Sequence, residues 1–184
     1  MSDLKEDLIE RIERLKVFKT GSFTLASGAK SNFYIDGRVI TLDPVGSELI
    51  SKIIVNNLDK AVTAVGGPAT AAIPIISSVI LVSNILLNRQ LSGFYVRPTV
   101  KEHGLSNSIE GTVARKDKVA IVDDTITSGN SLINSIKEVE SLGCKVIQTF
   151  TVFDRGEGGA EKLKSAGYKN HSIFKYDYKE NRLI

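Results

Sequence analysis

Two adjacent carboxylates followed by small hydroxyl residues are the part of this sequence best suited to chemistry. Asp123 and Asp124 come directly after residues 119–122, whose small and β-branched apolar side chains predict a buried parallel strand. Residues 125–129 supply hydroxyl groups and a glycine, and a helical pattern follows them. Ligands of an open α/β sheet bind at the carboxyl ends of its strands, and a helix N-terminus attracts anions. The stretch therefore predicts a phosphate site with two acids beside it.

A second candidate feature is a polar segment that carries cations. Residues 99–111 show no apolar periodicity, and Arg97, Lys101 and His103 lie in this segment or just before it. A polar loop of this length inside a compact domain is uncommon unless it is functional or disordered. Taken alone, such cations are usually part of the solvated surface.

Arg155 is a third candidate, because it follows a strand-like run at residues 146–153. A guanidinium group at the carboxyl end of a strand pairs well with a planar anion that carries a carboxylate. The simpler alternative is a surface ion pair of Arg155 with Glu157 or Asp154.

Apolar periodicity outlines the elements that must position these side chains. Strand-like and helical runs alternate, which predicts an α/β fold with a doubly wound, mostly parallel sheet. Asp43 is the predicted N-cap of one helix, and Gly143 the predicted end of another. The predicted helices cover about 4–15, 44–58, 71–87, 133–142 and 160–166. The predicted strands cover 23–25, 33–35, 61–65, 91–97, 119–122, 146–153 and 172–176, and a glycine loop is predicted at 66–70.

Composition limits the class of protein. No linker divides the 184 residues, so one domain is expected over 1–184, and the net charge of +3 is too mild and scattered to indicate a nucleic-acid partner. Cys144 is the single cysteine, which excludes an internal disulfide and fits a reducing compartment. The N-terminus lacks a signal-peptide core, and the apolar run 73–87 is too short to span a bilayer. We therefore expect a cytoplasmic protein without a membrane partner.

Two other classes of protein also place acids after a buried strand. P-loop nucleotidases need a Gly-x-x-x-x-Gly-Lys-Ser/Thr motif, and the nearest candidate, residues 28–31, has alanine between glycine and lysine and lacks the upstream glycine. Phosphoacceptor domains normally carry their acids early in the chain, whereas Asp123 and Asp124 lie two-thirds of the way along it. Both alternatives are therefore disfavoured.

The strand, the Asp-Asp pair and the following Thr-x-Thr-Ser-Gly together resemble the phosphoribosyl diphosphate signature of the type I phosphoribosyltransferases. Residues 97–104 resemble the mobile loop of the orotate phosphoribosyltransferases, with Arg, Lys and His at the same spacing. Residues 23–28, with Ser31 and Tyr34, resemble the family's N-terminal hood. Residues 153–159 resemble its Asp-Arg segment, whose arginine meets orotate. The four matches occur in the family's order.

The resemblance implies a type I phosphoribosyltransferase-like fold with a small hood formed mainly by about 18–40. It implies transfer of ribose 5-phosphate from phosphoribosyl diphosphate to orotate, giving orotidine 5′-phosphate and diphosphate for UMP biosynthesis. The implied catalytic residues are Lys101, His103 and Asp124. The implied phosphoribosyl diphosphate-binding residues are Arg97, Lys101, His103, Asp123, Asp124, Thr125, Ile126, Thr127, Ser128, Gly129, Asn130 and Ser131. The implied orotate-binding residues are Thr127, Arg155 and Tyr34.

The resemblance also implies partners and a cofactor. Mg²⁺ is expected through substrate oxygens, without an assigned protein ligand, and a homodimer is expected in which the loop 98–110 reaches the neighbouring site. Lysine is frequent in the family at three positions that are Ala26, Ala71 and Pro98 in this chain. Lys101 and His103 are therefore expected to neutralise more of the negative charge of the diphosphate. Two rival functions stay open: a purine or xanthine phosphoribosyltransferase, and a non-catalytic regulator that senses phosphoribosyl diphosphate.

Overall fold

The computed structural model describes residues 2–24, 30–98 and 108–184. Helices and strands alternate along most of this length. In chain order they are α1 (Ser2–Arg14), β1 (Phe18–Thr24), β2 (Lys30–Ile35), α2 (Gly37–Thr41), α3 (Pro44–Asn57), β3 (Ala64–Pro68), α4 (Ala72–Leu87), β4 (Ser92–Val96), β5 (Ile109–Gly111), β6 (Lys118–Ile126), α5 (Asn130–Ser141), β7 (Lys145–Asp154), α6 (Gly159–Ser165), β8 (Asn170–Asp177) and β9 (Arg182–Leu183).

Seven strands form one sheet in the order β5-β4-β3-β6-β7-β8-β9. The neighbours β4, β3, β6, β7 and β8 pair in parallel, and the two edge strands β5 and β9 are antiparallel to their neighbours. β1 and β2 form a separate antiparallel pair. The predicted α/β class with a mostly parallel sheet is confirmed.

Strand β6 is buried on both faces, which fixes the position of the acids at its end. Val119 and Ile121 pack in one hydrophobic cluster with the helix α5, whereas Ala120 and Val122 pack in another with helices α1, α3 and α4. Alternation of this kind follows from the period of two along a strand. A strand covered by helices on both faces is apolar without interruption, as residues 119–122 are.

Helix α3 begins as the sequence predicts. The Asp43 carboxylate accepts a hydrogen bond from the backbone N–H of Gly46 at 2.8 Å, and Pro44 occupies the first turn. Arg11 of α1 donates two further hydrogen bonds to the same carboxylate, at 2.5 and 2.8 Å. The Arg11 guanidinium and the N–H of Gly46 lower the pKa of Asp43 to about 2. This cap therefore also joins α1 to α3.

The predicted glycine loop at 66–70 is wrong in its first half. Gly66 and Gly67 belong to β3, which begins at Ala64 and not at residue 61. A Cβ atom added to Gly67 would lie 2.0 Å from the Val122 carbonyl oxygen, and one added to Gly66 would lie 2.2 Å from the ring of Phe94. These glycines therefore allow the central strands and the aromatic core to approach closely, a reason that the local pattern does not reveal.

Several element boundaries also differ from the predictions. β6 continues through both acids to Ile126, because residues 123–126 keep pairing with β7. The short elements α2, β5 and β9 are not predicted, since each has five residues or fewer and offers no periodicity. Gly143 does follow the end of α5 in a left-handed conformation, with φ of +87°, as predicted. Over the described residues, no helix is long and apolar enough to cross a membrane.

Candidate functional site

Asp123 lies at the carboxyl end of β6 and is buried, with 6% of its surface exposed. Its carboxylate accepts a hydrogen bond from the backbone N–H of Asp124 at 2.9 Å. Burial raises the pKa of Asp123 well above its ordinary value, and the negative charge of Asp124 raises it further. The site therefore favours the neutral form of Asp123.

Asp124 is half-buried and lies against the first residue of α2. A Cβ atom added to Gly37 would be 2.5 Å from Oδ2 of Asp124, so the missing side chain of Gly37 makes room for this carboxylate. Burial raises the pKa of Asp124, while the N–H of Thr125 and the positive charge of Arg38 oppose the rise. Sequence reasoning missed the part played by α2, whose only local signal was a glycine between two charged residues.

Residues 127–129 form the turn between β6 and α5, and a small cavity lies at this turn. Gly129 adopts a left-handed conformation with φ of +75° and is the N-cap of α5, where no side chain caps the helix. The cavity has a volume of about 70 Å³ and is lined by Asp123 and residues 125–132. The uncapped first turn of a helix presents backbone N–H groups and a partial positive charge to an anion. This geometry suits a phosphate group.

The predicted loop residues contribute to this cavity in different ways. The side chain of Ile126 is buried in the hydrophobic core, so only its backbone can meet a ligand. Thr125 and Thr127 are half-buried, whereas Ser128, Asn130 and Ser131 are exposed. The structure thus brings Asp123 and residues 125–131 together around one cavity, with Asp124 between them in sequence but not in the lining. Their role in phosphoribosyl diphosphate binding stays a prediction.

Arg155 lies next to the turn, because its backbone N–H donates to the carbonyl of Ile126 at 3.1 Å. Its Nε donates to the Glu157 carboxylate at 2.8 Å, and its guanidinium carbon lies 4.5 Å from the centre of the Phe33 ring. Phe33 in turn stacks on Tyr176, with ring centres 3.8 Å apart. The ion pair with Glu157 considered above therefore exists, but it is not a surface pair, since only 7% of the Arg155 side chain is exposed.

Phe33, which the sequence analysis did not single out, is an aromatic residue of β2 that contacts Arg155. Successive residues of a strand point to opposite faces. Tyr34 is half-buried, and its ring lies 5.7 Å from that of Phe23 on β1. Phe33 and Tyr34 are consecutive strand residues and therefore point to opposite faces of the hairpin. The sequence does not show which of these faces is buried, so it could not identify Phe33 as the residue that contacts Arg155. The role of Tyr34 in orotate binding stays a prediction.

Arg97 lies at the end of β4, beside a larger cavity of about 310 Å³ between β3, β4 and α5. Its guanidinium lies 3.2 Å from the Glu110 carboxylate, and its backbone N–H donates to the Ser108 carbonyl at 2.7 Å. Ser131 lines both this cavity and the smaller one. Lys101 and His103, like Ala26, lie outside the described residues.

The described residues offer oxygen donors for a metal ion but no complete set of protein ligands. Among them, no group of three or more His, Cys, Asp or Glu side chains could hold a metal. Mg²⁺ usually keeps several waters and binds to one or two carboxylates together with substrate phosphates. Asp124, half-buried and adjacent in sequence to two residues that line the phosphate-sized cavity, fits that kind of site.

Comparison with known proteins gives a consistent result. Residues 45–179 match the family described as phosphoribosyl transferase domain. An orotate phosphoribosyltransferase of Rhodopirellula baltica is 38% identical over 159 residues, which cover 83% of this chain and 82% of that protein.

Solved structures resemble most of the chain as well. The orotate phosphoribosyltransferase of Mycobacterium tuberculosis in complex with inorganic phosphate has a TM-score of 0.79 and 30% identity, covering 95% of this chain and 96% of that chain. The same enzyme in complex with 5-phospho-α-D-ribosyl 1-diphosphate has a TM-score of 0.74 and 27% identity, covering 95% of this chain and 90% of that chain.

Proposed function

This chain belongs to the phosphoribosyl transferase family, and we propose on that premise that it is an orotate phosphoribosyltransferase. It transfers ribose 5-phosphate from phosphoribosyl diphosphate to orotate, giving orotidine 5′-phosphate and diphosphate for UMP biosynthesis. The observation that carries the proposal is the end of β6, where two carboxylates adjoin an uncapped helix N-terminus and a phosphate-sized cavity.

The 5′-phosphate binds in the cavity of residues 125–132, and the ribose lies beside Asp123 and Asp124. The backbone N–H groups of the turn and the first turn of α5 hold the phosphate oxygens. The carboxyl groups accept hydrogen bonds from the ribose 2′- and 3′-hydroxyls. The more exposed acid, Asp124, supplies negative charge where it is needed as the bond from C1 to diphosphate breaks and C1 becomes positive.

Orotate binds next to Arg155, on the side of the hairpin β1–β2. A ring nitrogen of orotate gives up its proton to the diphosphate or to solvent and forms the new bond to C1, while the diphosphate oxygen departs with the electron pair of the old bond. A guanidinium held between Glu157 and the Phe33 ring is already oriented, so little entropy is lost when it meets the planar anion. Thr127 and Tyr34 complete the proposed contacts with orotate.

The diphosphate is met by Arg97, Lys101 and His103. Cations placed over a leaving group stabilise charge that grows in the transition state, and one such contact is typically worth about 3 kcal/mol. Closing the loop 98–110 also excludes water from the positive C1 centre. Replacing Lys101 by alanine should therefore lower turnover far more than it weakens binding of ribose 5-phosphate. An unchanged rate would show that the loop is only surface.

Mg²⁺ is the proposed cofactor; it would bind mainly through ribose and diphosphate oxygens, and Asp124 is a half-buried carboxylate that could contribute to the site. The ion would neutralise part of the charge on the departing diphosphate. Titration of turnover with Mg²⁺ after removal of divalent cations tests this part of the proposal. Full activity in a chelator would contradict it.

The proposed assembly is a homodimer through the exposed face of α4, in the cytoplasm. Four large apolar side chains of this helix are more than half exposed: Leu81, Ile85, Leu86 and Leu87. Apolar side chains clustered on a surface mark contact sites. Ile85→Lys should give a monomer in light scattering, whereas Leu142→Lys, which changes an exposed leucine of another helix end, should leave the dimer intact. A dimer that survives Ile85→Lys would exclude this face.

The proposed exchange of loops between subunits has a direct test. Lys101→Ala and Asp124→Asn are each expected to be inactive, but a mixed dimer contains one site with both native residues if the loop acts in the neighbour. Co-refolding equal amounts should then restore about a quarter of the native activity, since half of the randomly paired dimers are mixed. No restoration would place the loop over its own site.

An assay of orotate consumption with phosphoribosyl diphosphate and Mg²⁺ tests the central proposal. Hypoxanthine, xanthine and adenine serve as alternative acceptors in the same assay. Turnover of a purine without turnover of orotate would assign the chain to the purine or xanthine enzymes. Binding of phosphoribosyl diphosphate without turnover of any base would support the regulator.

A further inference from the structure

Among the described residues, no basic side chain lines the cavity proposed for the 5′-phosphate. Its lining residues are Asp123 and 125–132, and the one charged side chain among them is a carboxylate. A phosphomonoester carries up to two negative charges, whereas a helix N-terminus supplies the equivalent of only about half a positive charge. A cation close to this turn would therefore improve the electrostatic balance.

Helix α6 is packed directly against residues 127–129, the turn between β6 and α5, which we call the phosphate turn. A Cβ atom added to Gly159, its first residue, would lie 2.4 Å from the Thr127 carbonyl oxygen and 2.9 Å from the Gly129 nitrogen. Leu163 of the same helix is fully buried in the core around α5. The helix is therefore held in a fixed position beside the turn.

Lys162 of α6 contacts the cavity through Asn130. Its ammonium group donates to the Asn130 side-chain oxygen at 2.5 Å, and Asn130 is both the first residue of α5 and part of the cavity lining. Lys162 is three residues after Gly159, so both lie on the face of α6 that is turned to the phosphate turn. The contact brings a positive charge next to a cavity whose described lining contains none.

We propose that Lys162 is a positioning residue for the 5′-phosphate: it orients Asn130 and supplies the positive charge that the cavity lining does not. The ligand class is a sugar phosphomonoester. The inference rests on the proposed function only for the identity of the natural sugar phosphate. If Lys162 merely tied α6 to α5 at the surface, it would affect stability but not the affinity for phosphate.

Lys164 is a matched control on the same helix. It is exposed like Lys162, and two residues further along a helix it lies about 200° away around the axis. Lys162→Met and Lys164→Met remove the same charge from the same element, so they change the net charge of the protein equally. Lys162→Arg keeps the charge and tests whether a cation alone is sufficient.

The experiment is calorimetric titration of the full chain with ribose 5-phosphate, at low and at high salt. Lys162→Met should weaken binding about fivefold at low salt, and the difference should shrink at high salt because a partly exposed charge is screened. Lys162→Arg should bind within twofold of the native protein, and so should Lys164→Met. In turnover, Lys162→Met should raise the KM for phosphoribosyl diphosphate with little change in kcat.

Three results would overturn the proposal. They are equal affinities of Lys162→Met and the native protein, an equal loss in Lys164→Met, or no binding of ribose 5-phosphate by the native chain. The titration contains no orotate, so its outcome is separate from the assignment of the acceptor. A chain that binds ribose 5-phosphate through Lys162 but does not consume orotate would retain this inference and lose the proposed function.

Discussion

Replacing Gly37 by alanine should impair turnover by displacing Asp124. The new Cβ atom would lie 2.5 Å from Oδ2 of Asp124, while ordinary contact begins at 3.4 Å, so the carboxylate must retreat by about 0.9 Å. Misplacing a catalytic group by about 1 Å can cost on the order of 100-fold. We therefore expect kcat/KM for orotate to fall about 100-fold, equivalent to about 2.7 kcal/mol of transition-state stabilisation. The measurement is the orotate assay under saturating Mg²⁺.

The loss should not reflect unfolding, because the crowded atoms all belong to the side chain of Asp124 and none belongs to the backbone. Overpacking usually costs about 1–3 kcal/mol, and here we expect the low end, a fall in melting temperature of about 2–4 °C. Gly167→Ala is the control: its φ of +91° strains an alanine to a similar extent, but no atom lies within 4 Å of the added Cβ. Gly167→Ala should lose stability and keep turnover. Native turnover in Gly37→Ala would refute the view that the position of Asp124 controls the rate.

Three further predictions concern burial, the helix cap and the aromatic contact. Asp123→Asn should abolish turnover and raise the melting temperature at pH 8. The folded pKa of Asp123 is raised, so the native protein gains stability as the pH falls and this carboxyl becomes protonated. The difference in melting temperature between Asp123→Asn and the native protein should therefore narrow toward pH 4. A difference independent of pH would contradict this assignment. Asp43→Ala should cost about 1–2 kcal/mol in urea unfolding at pH 7, through the lost cap and the lost ion pair with Arg11. Because the folded pKa of Asp43 is lowered to about 2, the electrostatic part of that cost should be constant above about pH 5 and be lost progressively toward about pH 1. A cost that does not change over this range would show that the charge is irrelevant. Phe33→Leu should raise the KM for orotate several-fold, because the Arg155 guanidinium loses the ring that holds it. The affinity for ribose 5-phosphate should stay unchanged. Equal losses of affinity for both ligands would indicate that the β1–β2 hairpin has unfolded as a whole.

Much of the fold could be predicted because its signals are local. The buried run 119–122, the Asp43-Pro44 cap and Gly143 each act through neighbouring residues, and the structure confirms all three. The predictions failed where the reason lies in another part of the chain. The local pattern predicts a loop at Gly66 and Gly67, but both are strand residues. Because they have no side chain, the ring of Phe94 and the carbonyl of Val122 can pack closely against them.

The same distinction applies to the site. An apolar strand, two acids and a hydroxyl-rich turn before a helix come together through chain connectivity alone, and the resemblance of this stretch to a family signature indicated the reaction class. Only the tertiary structure decided what surrounds them: Gly37 against Asp124, Phe33 against Arg155, and Lys162 beside Asn130. Each of these contacts joins two residues on separate elements that are 32 to 122 positions apart in sequence. No repeated spacing in the sequence indicates such a contact. Packing of α2, the hairpin and α6 around one strand end brings them together, and that packing is a property of the whole core.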